Sequence, residues 1–130
     1  APDNTPHYRN SLKKYILTHP GTELGLPGPL QGFNSGVVLY RLHKMRTNDL
    51  YNKYTVPEGV MNLMNKYQYK MFLAEQDWFT NLGYSHPQLF YNLPCHFNRQ
   101  TSIRYTNKII RFLHLIIIVQ HDVEGLGTRI

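Results

Sequence analysis

Apolar positions along the chain recur in two rhythms, one suited to helices and one to strands. Tyr8, Leu12, Tyr15 and Ile16 share a face at helical spacing. Thr5 offers a capping hydroxyl ahead of them, Pro6 suits a first helical position, and His19-Pro20-Gly21 closes the segment. Residues 20–32, PGTELGLPGPLQG, hold four Gly and three Pro and read as an irregular loop. Phe33 to Tyr40, FNSGVVLY, is predicted as a strand, with Val37, Val38 and Leu39 as an unbroken apolar run of the kind covered on both faces. A short helix is expected from about Thr47 to Tyr54, with Leu50, Tyr51 and Tyr54 on one side. Another starts at Pro57, where Val60, Met64, Tyr67 and Met71 fall at i, i+4, i+7 and i+11. A third runs from about Glu75 to Leu82, with Gly83 as a left-handed end residue. Gln88 to Leu93 reads as a short strand stopped by Pro94.

Residues 109–119, IIRFLHLIIIV, break with this pattern, because nine of the eleven are apolar. The run is shorter than the about 17–25 residues of a spanning helix, and Arg111 and His114 interrupt it. A buried strand and a buried helix fit it equally. No internal repeat and no dividing linker is visible, and the mixed order of strands and helices predicts an α/β layered fold.

Composition narrows the partners more than the fold. The 130 residues carry 14 Lys plus Arg against 8 Asp plus Glu, a formal charge of +6, which favours anionic ligands such as nucleotides, nucleic acid or anionic lipid. Charged residues are only 17% and there are ten Tyr, which excludes a disordered basic tail. One Cys excludes an internal disulfide framework and a Cys-based zinc site. The chain begins at Ala1 and shows no charged-then-apolar leader, so no secretory signal is expected within it.

Three segments hold candidate chemistry. Asn34-Ser35-Gly36 places two poor strand formers in a strand-like run. A ligand or a second backbone approaching Gly36 explains this, and so does a β-bulge. Glu75-Gln76-Asp77 sets a carboxylate, an amide and a second carboxylate at a helix start, where sugar hydroxyls can be gripped. Acidic residues are also favoured in any first turn by the helix dipole. Cys95-His96-Phe97-Asn98-Arg99-Gln100 is a polar stretch after a strand, the usual place for a binding loop and equally for an ordinary surface loop. The seven histidines form no HExxH pair, and His121-Asp122-Val123-Glu124 lacks the second segment that a metal site needs. There is no phosphate-binding glycine loop and no nucleophile elbow. The basic residues are scattered rather than striped, so no nucleic-acid partner is expected.

Read together and in order, GFNSGVVLYRLHKMR (32–46) and LAEQDWFTNLGYSHPQLFYNLPCHFNRQ (73–100) resemble the lumenal retaining glycosyltransferases of glycosyltransferase family 8. Within that family the likeness is to the xylosyltransferases that extend the xylose-glucose disaccharide on EGF-like repeats. The stretch PHYRNSLKKYILTHPGTELGLPGPLQG (6–32) is similar to what precedes these motifs in the family. The resemblance implies an incomplete GT-A nucleotide-sugar-binding fold with a mixed sheet and flanking helices. It makes residues 1–104 the C-terminal part of a catalytic domain and 105–130 a divergent apolar tail. It implies a UDP-xylose donor, manganese on the diphosphate, and transfer with retention to xylosyl-glucose glycans on EGF-like repeats. It also implies an endoplasmic-reticulum lumenal location, with a membrane anchor only in a longer protein.

Carried over by position, Asn34 and Ser35 line the donor pocket and Gly36 lets the backbone pass close to it. Glu75 binds donor-sugar hydroxyls where relatives usually have Asp. Gln76 is the catalytic residue beside the anomeric carbon, Asp77 supports the turn on the donor side, and Asn98, Arg99 and Gln100 face the acceptor. A neutral amide is a poor covalent nucleophile, so front-face displacement is expected at Gln76. The family's Asp-x-Asp motif lies upstream of these segments and its metal-binding His downstream, so no metal ligand is assigned and the chain alone is expected not to transfer xylose. Three other readings stand beside this one: a sister glucoside-type xylosyltransferase, a noncatalytic glycan- or protein-binding product, and a basic nucleic-acid module.

Overall fold

The computed structural model describes residues 7–68, 71 and 73–92, with His7 and residues 116–118 described by backbone alone. The expected first helix is two short ones, α1 (His7–Ser11) and α2 (Lys13–Thr18), joined at Leu12. Leu12 leaves ideal helical geometry, yet its N–H still reaches the Tyr8 carbonyl and Ile16 N–H still reaches its own carbonyl, each at 2.9 Å. The apolar face is therefore continuous across the joint: Tyr8 and Leu12 are buried and Tyr15 and Ile16 half-buried. The glycine-rich loop that follows is tied down from α1, because Arg9 Nη1 donates to the carbonyls of Thr22 at 2.8 Å and Leu24 at 3.0 Å. Gly25 makes this contact possible. Its φ is +78°, and a Cβ there would collide with the Arg9 backbone.

The predicted strand over 33–40 is shorter than expected. Only Val38–Leu39 is strand (β1), and residues 35 and 36 form a turn. The cause is local: Asn34 Oδ1 accepts from Gly36 N–H at 2.8 Å, a side-chain-closed turn that competes with a ladder. The run is not covered on both faces either, since Leu39 is 52% exposed.

The expected helix near 47–54 is α4 (Asp49–Lys53), and a further helix not expected from the sequence, α3 (Leu42–Thr47), precedes it. Asn48 is extended between them, and its side chain caps α4 by accepting from Tyr51 N–H at 2.7 Å. Helix α5 (Pro57–Tyr67) starts at Pro57 as expected. Its buried line is Gly59, Leu63 and Tyr67: Tyr67 is as predicted, while Gly59 and Leu63 take the buried places expected of Val60 and Met64, which flank the line. Gln68 ends the helix at φ +57°, so Met71 lies beyond it and not on its face.

Helix α6 (Glu75–Ser85) begins where predicted and runs three residues past Leu82. Gly83 is thus no end residue. It is buried inside the helix because the Phe33 ring occupies the space a Cβ would need. The helix stops at His86, before Pro87, in keeping with the extended conformation that a residue preceding proline prefers. A 3-10 turn (Pro87–Leu89) leads into strand β2 (Phe90–Asn92), while Leu93 and Pro94 lie outside the described residues.

Of the apolar run 109–119, the three described residues form a strand, β3 (Ile116–Ile118). The sheet order is β1-β3-β2: β3 is parallel to β1, with Val38 opposite Ile116, and antiparallel to β2, with Tyr91 opposite Ile117. The core gathers Leu12, Leu24, Tyr51, Leu63, Tyr67, Phe79, Leu82 and Leu89 around α6. Trp78 seals one edge: its ring meets Tyr51 edge-on at 5.8 Å and its Nε1–H donates to the Tyr54 carbonyl at 3.1 Å. No described helix is long and apolar enough to cross a membrane.

Candidate functional site

Two of the sequence-predicted segments meet. Ser35 N–H donates to Gln76 Oε1 at 3.0 Å, and the Ser35 hydroxyl lies 3.5 Å from the same oxygen. The turn that replaces the first half of the predicted strand produces this contact, because closing Asn34 onto Gly36 turns the Ser35 N–H out toward α6. A second bond fixes the register of the two segments, Phe33 N–H donating to Thr80 Oγ1 at 3.0 Å, one helical turn further along. Asn34, Ser35 and Gln76 are half-buried, and Gly36 and Glu75 exposed, which gives a rim open to solvent over a closed floor.

Asp77 belongs to that floor. It is 1% exposed, and both carboxylate oxygens are engaged: Oδ1 accepts from the Tyr8 hydroxyl at 2.7 Å and Oδ2 from Leu73 N–H at 2.8 Å. A buried carboxylate needs such donors to offset its desolvation. Asp77 accordingly supports the turn before α6 and stands beneath the rim. Ala74, at φ +44°, makes the sharp bend that brings Leu73 back over Asp77.

Tyr8 completes the constellation, and sequence reasoning assigned it only to an apolar face. Its hydroxyl also receives Gln76 Nε2–H at 3.3 Å. Burial pushes its pKa well up, and the neighbouring Asp77 raises it further, so the phenol stays a proton donor. Nothing local in the sequence marks this role, since the partners are 68 and 69 residues away.

Asn98, Arg99 and Gln100 lie outside the described residues, as do Cys95, His96 and the 121–124 segment. No group of three or more His, Cys, Asp or Glu side chains comes together among the described residues, so the manganese expected on a diphosphate finds no ligand set there. One cavity of about 100 Å³ lies beside Phe33, between Leu30, Tyr84 and Phe90. Asn34, Ser35 and Gln76 do not line it, and it is far below the about 300 Å³ of a drug-sized ligand site. The rim at Ser35 and Gln76 is thus an open surface and not a closed pocket.

No protein-family model matches the chain. Over 102 residues it is 41% identical to xyloside xylosyltransferase 1 of Homo sapiens, a match that takes in 77% of this chain and 26% of that protein. It is 36% identical over 73 residues to glucoside xylosyltransferase 1 of Danio rerio, covering 52% of this chain and 18% of that protein. The crystal structure of mouse xyloside xylosyltransferase 1 in its apo form is similar with a TM-score of 0.63 and 38% identity, over 70% of this chain and 32% of that one. The chain spans about a quarter (26%) of the length of the curated relatives it most extensively matches here. The described helices and short strands are therefore part of an α/β fold of the kind seen in that glycosyltransferase.

Proposed function

From its likeness in sequence and fold to a segment of xyloside xylosyltransferase 1, we propose that this chain forms the donor-sugar wall of a retaining xylosyltransferase. The reaction is transfer of xylose from UDP-xylose to xylosyl-glucose glycans on EGF-like repeats, in the lumen of the endoplasmic reticulum. The observation that carries the reading is the bond from Ser35 N–H to Gln76 Oε1, which joins the two signature segments across 41 residues.

In this reading Glu75, exposed on the first turn of α6, grips hydroxyls of the bound xylose, and Asn34, Ser35 and Gly36 border the same sugar. Gln76 holds its amide beside the anomeric carbon. Its carbonyl oxygen accepts from Ser35 N–H at 3.0 Å, with the Ser35 hydroxyl at 3.5 Å, and its negative dipole end stabilises the positive charge that develops as UDP departs. The acceptor hydroxyl then bonds to the face that UDP leaves, which retains configuration without a covalent enzyme intermediate, and its proton passes to the departing phosphate oxygen. Asn98, Arg99 and Gln100 follow β2 in sequence and are proposed for the acceptor side. Manganese, when bound to the diphosphate, supplies Lewis acidity to the leaving group. A xylosyl acceptor is preferred to a glucosyl one because the match to xyloside xylosyltransferase is the longer and the more identical, 102 residues at 41% against 73 at 36%.

The test is a chimera. Residues 7–92 of this chain replace the matching segment of mouse xyloside xylosyltransferase 1, and transfer is assayed on EGF repeats bearing xylosyl-glucose or glucose alone. Xylose addition to the first acceptor is expected, with a loss of about 10²-fold on Gln76→Ala. A folded chimera that binds UDP-xylose but adds xylose only to glucose, or to neither acceptor, refutes the assignment.

A further inference from the structure

We propose that Tyr8 is a positioning residue that locks the side-chain amide of Gln76 in one orientation and ties it to the buried charge of Asp77. The inference rests on the donor-site reading above and adds to it a residue from the other end of the chain.

The argument is one of hydrogen-bond direction. The Tyr8 hydroxyl has one proton. Ionised Asp77 can only accept, so that proton goes to Oδ1 at 2.7 Å, and the Tyr8 oxygen presents one lone pair to Gln76 Nε2 at 3.3 Å and the other to the Thr80 hydroxyl. At the far end of the amide, Ser35 N–H can only donate, and it holds Oε1 at 3.0 Å. A flipped Gln76 would set its carbonyl against the Tyr8 lone pairs and its NH2 against the Ser35 N–H, two like-to-like contacts at once. The bonds thus run one way, from Ser35 through Gln76 and Tyr8 to Asp77, and each polarises the next. Drawing the Gln76 NH2 toward a negative charge makes its carbonyl oxygen a stronger acceptor, which is the atom turned to the sugar.

The scaffold holds Tyr8 for this purpose from two sides. Its ring lies where Gly32 has no side chain, since a Cβ there would strike the ring. Asp77 is fixed in turn by Leu73 N–H at 2.8 Å. Tyr8 is 5% exposed, so water does not compete for the hydroxyl.

The experiment uses the chain itself, with selectively labelled Gln and Tyr, and has two arms. In the first, NMR of the unaltered chain is expected to show a slowly exchanging Tyr8 hydroxyl proton with a nuclear Overhauser contact to the Gln76 NH2 protons. Tyr8→Phe should abolish the exchange protection of that NH2. In the second, affinities for UDP-xylose and UDP are compared. Tyr8→Phe should lower their ratio by about tenfold while changing UDP affinity less than about twofold, and should cost nothing further in a Gln76→Ala background. A merely structural tyrosine would lower stability and leave the ratio where it was. A Gln76 NH2 indifferent to Tyr8→Phe overturns the proposal, and so does an unchanged ratio. If Tyr8→Phe does not fold, the first measurement decides alone, absence of the hydroxyl contact being fatal. An unaltered chain that binds both ligands equally defeats the donor-site reading, and the amide lock is still judged by the NMR arm.

Discussion

Gly83 shows how much a single missing side chain can fix. The Phe33 ring rests on it, and Phe33 precedes the turn that delivers Ser35 to Gln76. Gly83→Ala should therefore cost about 1–3 kcal/mol by overpacking, despite the better helix propensity of alanine. Urea unfolding measures this, and Phe33→Leu in the same protein should return part of it. His86 gives a pH dependence. Burial holds its pKa below the ordinary imidazole value of 6.5, helped by the charges of Lys66 and Lys53, and its Nε2 lies 3.1 Å from the Tyr54 hydroxyl. The unfolded chain therefore takes up the proton first as pH falls. Stability should be full above about pH 6.5 and decline below it toward the folded-state pKa, a slope that His86→Gln removes. Unfolding midpoints between about pH 8 and pH 5 would reveal it. At this scale the sequence exposes Ser35 and Gln76, because a polar triplet in an apolar run and an acid-amide pair at a helix start are local signals. It hides Tyr8, since a tyrosine at helical spacing looks like core until its hydroxyl partners, 68 and 69 residues off, are known.

Short elements depend on their ends. Helix α4 has five residues, too few to nucleate alone, and the Asn48 side chain supplies the acceptor for the buried first-turn N–H of Tyr51 at 2.7 Å. Asn48→Ala should destabilise the protein by about 1 kcal/mol, and Asn48→Asp by much less, as read by thermal or urea unfolding. Helix starts were readable because their chemistry is local: Pro57 opens α5 and Glu75 opens α6. The apolar content of 33–40 favours a strand, but the Asn34 side chain closes a turn on Gly36 and shortens it. The stripe predicted on α5 holds at Tyr67 but is off by one residue at Val60 and Met64, because the N-terminal end of the buried line is Gly59, which has no hydrophobic side chain to count. A Cβ there would strike the Lys53 carbonyl, so α5 and the end of α4 touch backbone to backbone.

At the scale of the molecule, the matched residues correspond to 26% of xyloside xylosyltransferase 1, and in the proposed reading they form only one wall of a donor site. The chain by itself should therefore give no detectable xylose transfer with UDP-xylose, manganese and a xylosyl-glucose acceptor, assayed by product mass. The chimera carrying residues 7–92 should be active under the same conditions. The α/β class is legible from the alternation of element types, and the pairing of two motifs is seen in the bond from Ser35 N–H to Gln76 Oε1. The sheet order is not legible, because three strands of two or three residues leave too short a pattern to say which pairs with which.

That sheet has a consequence for synthesis. Its middle strand comes last: β3 separates β1 from β2 although both precede it, and Val38 waits 78 residues (116 − 38) for Ile116. Translation from Asn92 to Ile118 covers 26 residues (118 − 92), a delay of roughly 1–5 s at about 5–20 residues per second. Throughout that interval the nascent chain carries two outer strands with no common partner. A holdase that shields open strand edges would act on this protein then, and a ribosome stalled before codon 116 would leave the need permanent.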